Sequence, residues 1–177
     1  EYFITDIEFA DNDLNARFDL MGFFWPARPR THTRKCKVML MEMKYGDNAL
    51  DGNAGILKHL QDFQALISDR EKYAQICATI DNQFIQLDQL ELLEFTRKGQ
   101  NLPMKLDPEQ KPEVIFLFGN HNPRSTKLAA CLNDPLLDEY SNSDLFDLRF
   151  FVSQFAGYAL HSDCMVTLEE FRALLKR

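Results

Sequence analysis

Three strand-like runs fill the first 45 residues of this chain, after which apolar positions recur with a period of three to four. Residues 2–9, from Tyr2 to Phe9, read as a strand, closed by the turn formers Asp11, Asn12 and Asp13. Residues 16–25, from Ala16 to Trp25, are apolar on both faces, as a central strand requires. A loop rich in Pro and Arg follows over 26–33, and residues 36–45 form a third strand. Connectors of this length predict an antiparallel meander. Gly46, Gly52 and Gly55 then mark a loop. From about Ala54 the stripe Ile56, Leu57, Leu60, Phe63, Leu66 and Ile67 predicts a helix. A second helix is expected over 70–97, with Tyr73, Ile76, Cys77, Ile80, Phe84, Leu87, Leu90 and Phe95 on one face.

After a polar loop at 103–112, the run Val114 to Phe118 is continuously apolar, which suits a strand buried on both faces and reached by a helical crossover. Ser125 is placed to cap a helix that ends near Leu132. Residues 146–153 read as a fifth strand, and Thr167 with Glu170 forms a capping-box pattern for a last helix to Leu175. The predicted order is β-β-β-α-α-β-α-β-α. It describes one α/β domain over 1–177, whose mixed sheet has an antiparallel three-strand meander, a helical crossover and further strands, flanked by helices.

Composition narrows the class. A length of 177 residues with 45% hydrophobic residues and 15 phenylalanines supports a dense single core. No apolar run approaches the roughly 18 residues needed to cross a bilayer, and the first residues lack a signal-peptide pattern. Cys36, Cys77, Cys131 and Cys164 are widely spaced, with no zinc or CxxC signature, so reduced thiols in a cytoplasmic protein are expected. A net charge of −7 argues against a surface that binds nucleic acid everywhere. It leaves room for a local basic site: Arg28, Arg30, Arg34, Lys35 and Lys37 fall in one stretch without an acid. That stretch reads as a solvated hairpin tip or as a phosphate-contacting loop.

The chemistry concentrates at Glu42-Met43-Lys44. Two positions apart on a strand, the carboxylate and the ammonium share a face, and burying both is costly unless they pair or bind something. Asp19 lies on the neighbouring predicted strand. Glu42 and Lys44 alone make an ordinary ion pair at a strand end. With Asp19 they supply what phosphodiester hydrolysis needs: oxygen ligands for Mg2+ or Mn2+ from Asp19, Glu42 and the Met43 carbonyl, and a lysine to orient or deprotonate water or to offset phosphorane charge.

Asp19, then Glu42-x-Lys44 at the end of the third strand, then a long helix, resembles the PD-(D/E)XK nuclease superfamily over about residues 2–120. The resemblance implies a restriction-endonuclease-like core and a metal-dependent nuclease site, with Asp19 and Glu42 as ligands and Lys44 as the catalytic lysine. It also implies a supporting glutamine on the following helix, where Gln61 stands beside His59. Phe18 replaces the proline that often precedes the aspartate, and the leading helix of the superfamily is expected upstream of Glu1. Glu8 is placed to supply the acid which that helix often carries. Trp25 reads as an interior residue or as a base-stacking one. The expected partners are nucleic acid, DNA in the first place, and a second copy of the chain or a larger assembly, with no membrane. The alternative is a nuclease-like module that binds protein or nucleic acid without turnover.

Overall fold

A computed structural model of the protein describes residues 1–26, 36–93, 105–119, 124–153 and 162–175. The three early runs form strands β1 (Tyr2–Asp11), β2 (Ala16–Phe24) and β3 (Lys37–Tyr45). They pair antiparallel in succession, as the expected meander does. Helices α1 (Ile56–Ser68) and α2 (Arg70–Gln89) then carry the chain to β4 (Glu113–Gly119), which lies parallel to β3. Helices α3 (Thr126–Leu132) and α4 (Leu136–Ser141) lead to β5 (Asp147–Val152), parallel to β4, and α5 (Leu168–Leu175) follows. The strand order is β1-β2-β3-β4-β5, a five-stranded mixed sheet flanked by helices.

Local signals explain the starts of three helices. The Asp69 side chain accepts the Lys72 N–H and caps α2, and Ser125 accepts the Leu128 N–H and caps α3. Thr167 and Glu170 close the expected capping box: the Thr167 N–H reaches the Glu170 carboxylate at 2.7 Å, and the Glu170 N–H reaches the Thr167 hydroxyl at 3.2 Å. Two readings need correction. Helix α2 stops at Gln89 instead of running to 97. Glu91 turns into the left-handed region at φ 58°, and the bonds Leu92 N–H to Leu87 O and Glu91 N–H to Asp88 O close a Schellman motif. Apolar periodicity does not register that stop, because no glycine announces it. Helix α4 has no counterpart in the predicted order, since six residues are too few to display a helical period.

The apolar stripes of α1 and α2 pack on one sheet face, against Met21, Phe23, Val38, Leu40, Phe116, Phe118 and Phe150. The rings interlock: Phe63 stacks on Phe18 at 5.5 Å, and Phe84 meets Phe23 edge-on at 4.9 Å. Burying each such ring contributes roughly 2–3 kcal/mol. Trp25 belongs to this core beside Phe3, Phe23 and Phe84, which rules out the base-stacking reading. On the other sheet face Met39, Met41, Ile115, Leu117 and Phe151 form a smaller cluster. Strand β4, buried along nearly its whole length, serves both faces, as its continuous apolar run requires. Gly22 permits close pairing at the β1–β2 interface, where a Cβ would fall 1.9 Å from the Phe3 carbonyl oxygen.

Candidate active site

The side-chain alternation of β2 breaks at one place. Ala16 and Phe18 point into the main core, and then Met21 and Phe23 do, so the phase slips by one residue at Asp19–Leu20. The partner strand is irregular at the same rung. Pairs Ile7↔Leu20 and Phe9↔Phe18 bracket Glu8, whose φ of 56° lies in the left-handed region that non-glycine residues rarely adopt. On the other side, the β2–β3 pairing stops at Leu20↔Met41. Just past that rung the Met43 N–H is taken by Asp19 Oδ2 at 2.7 Å instead of by a strand carbonyl. The two strands part here, and a carboxylate fills the gap.

Glu42 and Lys44 share the face covered by α1, as their spacing predicts. Lys44 Nζ lies 3.2 Å from Glu42 Oε1 and 2.6 Å from the Ala54 carbonyl oxygen, and 5.8 Å from the centre of the Phe116 ring. Its side chain is 1% exposed. Lys44 therefore clamps β3 to the loop before α1. On the far side of Glu42, His59 Nδ1 from α1 stands 3.2 Å from the same Oε1.

Burial pushes the Glu42 carboxyl above its usual range and the nearby Asp19 charge adds to this, while Lys44 and the Asp19 backbone N–H work against it. Burial lowers the Lys44 ammonium, with the charges of Glu42 and Asp19 opposing. His59 is lowered by burial and by the Lys44 charge, so its imidazole is neutral at pH 7.

Asp19, Glu42 and His59 line one open hollow of about 730 Å³. The turn end of the β1–β2 hairpin, with Asn12, Asn15 and Arg17, makes one wall, and Asn53 with Lys58, His59 and Asp62 makes the other. Four carboxylates (Asp11, Asp19, Glu42, Asp62) face two cations (Arg17, Lys58), so the hollow is acidic. Two oxygen-donor carboxylates at its floor suit a hard divalent ion, which commonly takes one or two carboxylates and fills the rest of its shell with water and phosphate. Among the described residues, no three His, Cys, Asp or Glu side chains are already arranged around a metal position.

The expected residues distribute unevenly. Asp19 and Glu42 meet at the hollow, whereas Lys44 and Met43 do not line it. Met43 enters through its backbone N–H, and its side chain is exposed. Gln61 is exposed on α1 and also absent from the lining, and His59 holds the place expected of it. The reason is angular: Ile56, His59, Leu60 and Phe63 lie on one face, and Gln61 is two residues from His59, near the opposite side. That spacing was the available signal for His59. Glu8 is exposed and stands outside the hollow. Lys37 bonds Asp147 at 3.0 Å at the other end of β3, about 16 Å from Glu42 at the usual rise per strand residue. Arg28, Arg30, Arg34 and Lys35 lie outside the described residues. Among the described residues, no helix is long and apolar enough to cross a membrane. A scan against protein-family models finds no match, and neither does a search of curated proteins or of solved structures.

Proposed function

We propose that this chain hydrolyses phosphodiester bonds of nucleic acid, DNA in the first place, with a divalent metal held by Asp19 and Glu42 on a restriction-endonuclease-like core. The observation that carries the reading is the rung where β2 and β3 part and bring the two carboxylates to a common hollow. The order of an antiparallel meander, a helical crossover and a parallel fourth strand supports the same core. A metal ion bound there supplies a water of lowered pKa and charge to offset that of the phosphorane. Mg2+ and Mn2+ both suit carboxylate oxygens.

The chain's own residues have narrower tasks. Met43 N–H fixes the Asp19 carboxylate, and Lys44 fixes that of Glu42. Lys44 acts as a positioning residue, because Glu42 and the Ala54 carbonyl enclose its ammonium and separate it from the hollow. His59 holds Glu42 from the open side and presents a neutral imidazole to the hollow, where a proton acceptor is useful.

The test is nicking of supercoiled plasmid in Mg2+ or Mn2+ against EDTA. Asp19→Asn keeps an oxygen for the Met43 N–H while removing the charge, so the fold should persist and the rate should fall at least about a hundredfold. Unchanged nicking by that variant counts against the assignment. The enclosure of Lys44 favours a second reading, a nuclease-like module that binds without turnover. Calorimetry separates the two, since that module takes up no divalent ion at Asp19 and Glu42.

A further inference from the structure

The hollow has an acidic floor and a different kind of rim. Around it most charges are already engaged. Lys58 is paired with Asp62 one turn along α1, and Lys44, behind the wall, is paired with Glu42. Asp11 spends one carboxylate oxygen on the N–H groups of Asp13 and Leu14 at the hairpin turn. Arg17 differs from these. It is exposed, lines the hollow two residues before Asp19 on the same strand, and makes no ion pair among the described residues. Asn12 and Asn15, also at the hollow, add amide donors beside it on the hairpin, and Asn53 adds another across from it.

We infer that Arg17 grips a backbone phosphate of a nucleic-acid strand laid between the β1–β2 hairpin and α1. This rests on the reading of the hollow as a phosphodiesterase site and assigns its substrate contact. The physical case is one of sign. A polyanion entering a hollow with four carboxylates is repelled unless the floor is neutralised by a cation and the rim offers positive charge. Arg17 is the rim's unspent positive charge, and its planar donor fork matches two phosphate oxygens at once. Lys37 takes no part in this grip: it opens β3 at the sheet end away from the hollow and is tied to Asp147.

The experiment measures anisotropy of fluorescein-labelled DNA, single-stranded and duplex, in Ca2+ over a range of NaCl, and takes the tighter-binding form. Arg17→Ala should weaken binding about tenfold and lower the slope of log K against log salt by about one contact. Arg17→Lys should restore most of the slope and only part of the affinity, because an ammonium replaces the charge and not the fork. Arg70→Ala is the control for net charge: Arg70 is exposed, pairs loosely with Glu109 at 3.7 Å and lines a separate cavity. It should leave the slope unchanged. Equal slopes for wild type and Arg17→Ala, or an equal loss in Arg70→Ala, overturn the inference and leave the nuclease reading standing if nicking persists. Absence of DNA binding by the wild-type protein in Ca2+ overturns both.

Discussion

At the scale of single residues, the site depends on one rung where three ordinary preferences are set aside. Glu8 sits at φ 56°, Asp19 leaves the ladder, and Met43 gives its N–H to a side chain. A left-handed non-glycine residue costs about 1–2 kcal/mol, a cost glycine does not carry. Glu8→Gly is therefore expected to raise the denaturation midpoint by the equivalent of about 0.5–1 kcal/mol, and Glu8→Val to lower it by about 1 kcal/mol or more, read by urea melts. Equal midpoints for the two variants would show that the rung is not strained. His59 carries a second lesson at this scale. A titratable side chain at helical spacing from Ile56 and Phe63 faces the sheet, and so meets whatever charge the sheet presents, here Glu42.

At the scale of elements, the two sheet ends divide the work. The end with the carboxyl terminus of β3 is opened by the parting of β2 and β3. The other end is stapled. Asp147 at the start of β5 bonds Lys37 at the start of β3 at 3.0 Å and Lys111, just before β4, at 3.1 Å. Burial raises the Asp147 carboxyl, but hydrogen bonds and charge from the two lysines outweigh this and hold it below its usual range. A depressed native pKa adds stability above the unfolded value of about 3.9 and loses it as pH falls through the native value. Asp147→Asn should thus cost about 1 kcal/mol at pH 7, with wild type and variant converging below about pH 4 in melts across pH. Parallel stability curves that never converge would place the effect elsewhere than in the charge.

At the scale of the whole molecule, charge dictates the order of events. With a net charge of −7 and an acidic hollow, the protein repels DNA at long range. On the proposed phosphodiesterase reading, a divalent ion binds before the strand does. Anisotropy in EDTA is expected to show DNA affinity at least about tenfold weaker than in Ca2+ at equal ionic strength, and Asp19→Asn should erase that difference. Cation-independent binding would place the DNA on another surface.

The strand alternation, the helical stripes and the capping pairs were legible in the sequence because each is a short-range pattern with a fixed period. The same holds for Glu42 and Lys44 on one face, since two positions along a strand always share a side. Asp19 as their partner was legible as a candidate only. The meeting itself depends on a phase slip that strict alternation does not contain. The enclosure of Lys44 and the placement of Arg17 at the rim came from tertiary structure alone. Each depends on how one element approaches another: a side chain's solvent access and its partners are set by residues distant in the chain, which no local period encodes.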